Sequence, residues 1–147
     1  IADKMKSSLF NPFLTNALAK EEEYLKKAPL IGNTLDFFKY VCTENGTKPI
    51  IVYIPSRNQI SDYYLPFERE YCLNKCPDSM TLNKPEYQVH QQFLKKQCED
   101  LNIQFIDLSS IIKEREEKGE HLYWNYDQHM RAKGYQIVGE EIWNQLN

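Results

Sequence analysis

The stretch Pro49-Ile50-Ile51-Val52-Tyr53-Ile54-Pro55 decides the fold of this chain. Five consecutive apolar residues, most of them β-branched, stand between two prolines. A run of this kind is typical of a strand buried on both faces, as in a parallel sheet that is covered by helices. The sequence therefore predicts a central β-strand at residues 50–54.

A second apolar run, Ile103-Gln-Phe-Ile-Asp107-Leu108, predicts another strand, and helical patterns separate the two. That order favours parallel strands joined by helical crossovers. We therefore expect one domain over residues 1–147 with a three-layer α/β/α fold of flavodoxin-like type. Two strands are too few for a buried sheet, so further strands are expected in additional upstream sequence or within segments that read as loops.

Five helices are predicted from apolar periodicity and from residues typical of helix ends. The first helix is capped at Thr15 or Asn16 and ends before Pro29. The second begins after Gly32, with Asn33 or Thr34 as its cap. The remaining signals are Asn45-Gly46 ending the second helix, Asn83 opening the third, Ser109 or Ser110 and Gly119 bounding the fourth, and Tyr135, Val138, Ile142 and Leu146 on one face of the last. In that last helix Gly139 is expected to allow close approach to a neighbour.

The segment 56–82 reads as a long insertion between the first strand and the third helix. Loops of this length in compact domains are usually functional. It is rich in aromatic residues, among them Tyr63, Tyr64 and Tyr71. Two interpretations stand: the rings cover the edge of the sheet, or they form a lid that binds substrate.

The block Tyr123-Trp124-Asn-Tyr-Asp127-Gln-His129 carries the strongest chemical signal. A carboxylate can orient a neighbouring imidazole and stabilise its cation, while the imidazole moves protons. Asp127 and His129 are therefore candidate catalytic residues. The alternative is that Asp127 bonds backbone near the last helix while His129 packs there. For two other residues a structural role is favoured over a functional one. Asp107 is expected to cap the next helix, and His90 is expected to lie on a helical face that points toward the core.

Composition narrows the classes of function. The chain has 147 residues, of which 41% are hydrophobic and 27% charged, and its net charge is −3, so nothing marks it as a binder of nucleic acid. No apolar run is long enough to span a membrane. Cys42 and Cys98 read as free thiols on apolar helix faces, whereas Cys72 and Cys76 can pair with each other, or one of them with Cys98, in an exported or periplasmic protein. The spacing offers no convincing metal site.

The block from Tyr123 through Asp127, His129 and Gly134 resembles the C-terminal block of the SGNH, or GDSL, hydrolase superfamily, and Ile51-Val-Tyr-Ile-Pro-Ser-Arg57 is similar to a late strand of those enzymes. The resemblance spans most of residues 35–146. It implies a serine esterase or O-acyl transferase acting on a carbohydrate or lipid ester, without a cofactor. His129 would be the general base and Asp127 its orienting partner, with Tyr63, Tyr64 and Trp124 facing the substrate.

The sequence departs from the family in two respects. The pair is spaced Asp-x-His, whereas many members have Asp-x-x-His, and no Gly-Asp-Ser or Asn-Asp occurs anywhere in the chain. The expectation is therefore that this is the C-terminal half of a larger domain, inactive by itself because the nucleophile and the oxyanion hole come from a missing N-terminal half. The competing expectation is a non-catalytic SGNH-like module that binds glycan or protein.

Overall fold

The computed structural model describes residues 21–67 and 89–147. The caps at Thr15 or Asn16, the beginning of the helix predicted from Asn83, and the residues Tyr71, Cys72 and Cys76 lie outside the described residues, as does the side chain of His90. The elements with defined bounds occur in the order α1 (Glu21–Glu44), β1 (Ile50–Tyr53), α2 (Arg57–Ile60), a 3-10 helix (Asp62–Tyr64), α3 (Val89–Asp100), β2 (Gln104–Asp107), α4 (Ser109–Glu117) and α5 (Ala132–Leu146). The chain is thus mixed α/β and mostly helical in its described part.

The sheet consists of β1 and β2, which pair in parallel with Ile50 opposite Gln104 and Tyr53 opposite Asp107. Both predicted strands are therefore confirmed, within a residue or two at their ends. All four residues of β1 are only half buried. The prediction of a strand buried on both faces is met in part, because β1 has one strand partner in the described part of the chain.

The side chains of the strands pack alternately into two apolar clusters. Ile50, Val52 and Ile106 pack on the larger cluster, which also holds Leu108, Ile112, Leu122, Tyr123, Met130, Ile137 and Val138. Ile51 and Phe105 pack on the smaller one, formed with Leu35 of α1 and Cys98 of α3. Because successive residues of a strand point to opposite faces, the two clusters lie on opposite faces of this small sheet.

The two predicted N-terminal helices are one. Helix α1 continues from Glu21 to Glu44 through Pro29, although a proline inside a helix removes a hydrogen bond and costs about 3 kcal/mol. The hydroxyl of Thr34, predicted as a cap, instead donates to Leu30 O at 2.8 Å. Beyond Pro29 the helix packs against α3, since Leu35 and Cys98 share an apolar cluster and a Cβ at Gly32 would lie 2.9 Å from the side-chain oxygen of Gln97; this packing favours a continuous helix.

The helix ends follow the predicted signals more closely. Gly46 and Gly119 have positive φ angles, 65° and 79°, just after α1 and α4. Asp107 Oδ1 accepts from the backbone N–H of Ser109 at 2.9 Å, so the carboxylate takes the capping role expected of it rather than either serine hydroxyl. No helix in the described part of the chain has the length and apolarity needed to cross a membrane.

The last helix corrects two details of the prediction. Its buried residues are Gly134, Ile137 and Val138, whereas Tyr135 and Leu146 are exposed. Close approach occurs at Gly134, where an added Cβ would lie 2.9 Å from Leu122 O, and not at Gly139, which has open space around it. The buried face of α5 therefore differs from the predicted one and points toward the hairpin formed by residues 122–131.

Candidate functional site: a hairpin tip at the end of strand β1

Asp127 and His129 lie at the tip of a short hairpin. Tyr123 and Met130 form an antiparallel bridge, Trp124 N donates to His129 O at 3.1 Å, and Arg131 N donates to Leu122 O at 2.7 Å. These backbone bonds close the loop just before α5 begins. The sequence order of aromatic residues, acid, histidine and helix therefore becomes an exposed turn held from both ends.

Within the tip, Asp127 binds its neighbour twice. Asp127 Oδ1 accepts from the backbone N–H of His129 at 2.8 Å and forms a short contact with Nδ1 of the same residue. These bonds, the backbone one first, lower the pKa of the Asp127 carboxyl below its ordinary value. Because the carboxylate engages Nδ1, a neutral His129 carries its proton there and leaves the Nε2 lone pair available. Both side chains are open to solvent, with 77% of His129 and 56% of Asp127 exposed.

A buried arginine fixes this hairpin to the carboxyl end of β1. Arg57, in the turn that follows the strand, is 2% exposed and its Nη1 donates to Asp127 O at 2.9 Å and to Trp124 O. Tyr123 Oη donates to Pro55 O at 2.6 Å, beside the same strand end. The pair therefore stands at the edge of the sheet where ligands of open α/β folds bind.

Sequence reasoning did not single out Arg57 or its neighbours. Residues 57–60 form a single helical turn that is entirely buried, including the polar side chains of Asn58 and Gln59. The Gln59 amide oxygen accepts from Ser56 N at 2.9 Å and so holds the turn together. A run of polar residues placed directly after a buried strand was the available signal, because such a run stands at the ligand-binding edge.

Of the two adjacent tyrosines in the insertion, Tyr63 is exposed and Tyr64 is buried. Tyr63 is 39% exposed and stacks on His121 with centroids 3.8 Å apart. Phe67 meets Tyr126 of the hairpin edge-on, at 5.3 Å. The described part of the predicted lid therefore contacts the loop that carries the acid and the histidine.

Tyr64 has no exposed surface, so the prediction that it faces a substrate is wrong. Its hydroxyl donates to Glu116 Oε1 at 2.7 Å and accepts from Tyr123 N at 3.2 Å. Burial and then the Glu116 bond raise the pKa of the Tyr64 hydroxyl, which keeps it protonated. Tyr64 is a structural residue beneath the hairpin, whereas Trp124 and Tyr63 are at the surface.

The thiols and serines contribute little to the site. Cys98 is fully buried, and the thiols of Cys98 and Cys42 are both free, whereas Cys72 and Cys76, the other cysteines of the two predicted pairings, lie outside the described residues. In residues 21–67 and 89–147 no group of three potential metal ligands comes together. Ser56 Oγ bonds Gln59 Oε1 at 3.1 Å, and no serine of the described ranges bonds His129.

Comparison of the chain with protein-family models, with curated proteins and with solved structures finds no match.

Proposed function

We propose that this chain is the C-terminal part of an SGNH-like serine esterase or O-acyl transferase, in which Asp127 and His129 supply two members of a catalytic triad. The observation that carries the proposal is the contact of Asp127 with Nδ1 of His129 at an exposed hairpin tip, beside the carboxyl end of β1. A triad needs this arrangement, because the acid sets the tautomer and leaves Nε2 to act as base.

In the proposed reaction, His129 Nε2 takes the proton of a serine hydroxyl as its oxygen attacks the ester carbonyl. The resulting imidazolium is stabilised by Asp127 and returns the proton to the leaving alcohol. Water, or an acceptor hydroxyl in a transferase, then releases the acyl group by the same steps in reverse. The serine and the oxyanion donors would come from sequence that precedes residue 1, in a complete three-layer flavodoxin-like domain with additional parallel strands.

Two features of the described residues support such a larger domain. The parallel sheet has two strands, although parallel sheets are usually larger and covered on both faces. Helix α1 also exposes a series of large apolar side chains, namely Leu30, Phe37, Tyr40 and Val41. Apolar surface of this kind is typical of a protein face that meets another element. An exported location, with Cys72 and Cys76 paired, belongs to the same proposal.

The test is reaction with a fluorophosphonate, which forms a covalent bond with the nucleophile of serine hydrolases. A longer protein that includes the preceding sequence is expected to be labelled on a serine upstream of residue 1 and to hydrolyse aryl acetates or acetylated sugars. The 147-residue chain should do neither. Labelling of a serine within the chain would show that the nucleophile has been misplaced, and a longer protein that is neither labelled nor active would overturn the proposal.

The second candidate function is a non-catalytic module that binds glycan or protein. The observation that favours it is that the imidazole of His129 bonds only Asp127 among the described residues, and no serine there bonds it. In that case the aromatic surface of the hairpin would still bind a ligand, and the fluorophosphonate would label nothing.

A further inference from the structure

An open groove of about 480 Å³ lies on the Asp127 side of the catalytic pair. It is lined by Trp124, Asn125, Tyr126, Asp127 and Arg131. Its volume falls within the roughly 300–1,000 Å³ that small-molecule sites occupy. His129 is not part of the lining, so a ligand in the groove would lie next to the imidazole without covering it.

Two exposed aromatic rings form the apolar part of the groove. Trp124 is 53% exposed and Tyr126 is 58% exposed. Neither ring stands alone: the Arg131 guanidinium packs over the indole, 5.1 Å from its centroid, and Phe67 contacts Tyr126. The two rings are therefore held in place before any ligand arrives, which reduces the entropy lost on binding.

The polar groups of the groove retain unused hydrogen-bonding capacity. Arg131 Nε donates to Tyr123 O at 2.9 Å and Nη2 donates to Asn125 Oδ1 at 3.2 Å. Arg131 Nη1 and Asn125 Nδ2 donate to no acceptor within the described ranges. Asp127 Oδ2 likewise accepts no hydrogen bond there, since both bonds from His129 go to Oδ1. Donors and an acceptor thus stand together beside the rings.

We propose that this groove binds a sugar ring, and that Trp124 is the platform on which the ring stacks. A pyranose has one face rich in C–H groups, which suits the indole, and hydroxyls around its edge that donate and accept at once, which suits an amide, a guanidinium and a carboxylate set side by side. A lipid acyl chain would fill the space but would cover Arg131, Asn125 and Asp127 without bonding them, and that is costly. The inference rests on the proposed function only in taking the sugar to be the alcohol part of the ester.

The chain contains two tryptophans, Trp124 and Trp143, and this allows a direct measurement. In the Trp143→Phe variant, Trp124 is the only indole, so its fluorescence reports on the groove. We expect cellotriose, maltotriose or chitotriose to change the intensity and emission maximum of that variant at saturable concentrations. The matched control is Trp124→Phe, in which only Trp143 emits; Trp143 is 68% exposed and lies near the end of α5, outside the groove, and its emission should not respond.

Affinity measurements of the same trisaccharides by calorimetry complete the test. Trp124→Ala should raise Kd about 10-fold or more, as expected for a central aromatic contact, whereas Trp143→Ala should leave it unchanged. Circular dichroism of each variant checks that the hairpin change has not unfolded the chain. Absence of any response from Trp124 to all three sugars, or equal affinity in Trp124→Ala, would overturn the inference, as would tighter binding of a dodecanoyl ester than of every sugar.

The variant His129→Ala separates this inference from the proposed function. It removes the proposed base but leaves the groove lining intact, so sugar binding should persist while ester hydrolysis in the longer protein is lost. Sugar binding in a protein that never reacts with the fluorophosphonate would support the groove and reject the enzyme. Esterase activity that does not depend on Trp124 would support the enzyme and reject the sugar-binding groove.

Discussion

Two carboxylate–histidine pairs lie within fourteen residues of each other in this chain, and they differ in almost every physical respect. Glu116 is 5% exposed, and its Oε2 faces His121 Nδ1 at 3.7 Å without a hydrogen bond. Asp127 contacts His129 directly at the exposed tip of the hairpin. In the first pair the acid is enclosed by the fold and the histidine is 35% exposed, whereas in the second pair both side chains are open to solvent.

The partners of the two acids explain the difference. Glu116 Oε1 accepts from Tyr64 Oη at 2.7 Å and from Leu122 N at 2.6 Å, so it satisfies two buried donors that belong to other segments. The Asp127 carboxylate bonds only His129 among the described residues. A buried acid that satisfies distant donors is a stabilising element, whereas an exposed acid that orients a histidine is available for chemistry. Proximity of an acid and a histidine does not distinguish these two roles, whereas the burial of the acid does.

The largest expected effect comes from replacing each histidine in turn. In the longer protein, His129→Ala should reduce kcat/KM for an acetyl ester by about 10³-fold or more, because the general base is lost. Its thermal stability should hardly change, since the side chain is 77% exposed. His121→Ala should do the opposite: it removes the stacking with Tyr63 and lowers Tm while sparing turnover. Equal losses of activity in both variants would erase the proposed distinction.

The next largest effect concerns Glu116. Glu116→Ala leaves the Tyr64 hydroxyl and Leu122 N–H buried without an acceptor, and should lower the free energy of unfolding by about 3 kcal/mol. Glu117→Ala, one residue further on the exposed side of α4, is the matched control and should change it by less than about 0.5 kcal/mol. Urea denaturation of the 147-residue chain measures both. A Glu116→Ala variant as stable as its control would mean that the buried network contributes nothing.

Gly134 connects the two regions, because it packs against Leu122 O and Met130 at the base of the hairpin. Gly134→Ala should lower the free energy of unfolding by about 1–3 kcal/mol, since the added Cβ meets backbone oxygen. Gly139→Ala in the same helix meets nothing within 4 Å and should raise it by about 0.5–1 kcal/mol through helix propensity. Thermal denaturation of the two variants gives the signs. Stabilisation by both substitutions would contradict the close approach at Gly134.

The smallest effect is the titration of Asp127. Its pKa is lowered by the bonds from His129, so the folded carboxyl should titrate below the ordinary value of 3.8, with the midpoint read from its carbon chemical shift by NMR. The sign follows from linkage: a lowered pKa means that the pair stabilises the hairpin above the unfolded value, and that this contribution disappears as the pH falls through the folded pKa. His129→Ala keeps the backbone bond and removes only the imidazole bond, so the midpoint should move part of the way up toward 3.8. An unchanged midpoint would show that the imidazole does not hold the acid.

Local sequence signals predicted the regular elements well. The apolar run at residues 50–54 became β1, the run at 103–108 became β2, and Gly46 and Gly119 follow α1 and α4 in the conformation that favours glycine. These features depend on neighbouring residues only, through β-branching and backbone freedom. The continuity of α1 through Pro29 could not be predicted in this way, because it depends on packing against α3, which is distant in sequence.

The same division holds at the candidate site. The sequence by itself determined that Asp127 and His129 are close, since only Gln128 separates them and a short hairpin brings the carboxylate to the ring. It did not reveal that Arg57, seventy residues away from Asp127, would be buried against the hairpin carbonyls, nor that Glu116 would hold Tyr64 and Leu122. The tertiary structure decided those contacts, because a buried polar group must find partners wherever the folded chain places them. For the same reason, only the tertiary structure distinguishes the exposed acid Asp127 from the buried acid Glu116.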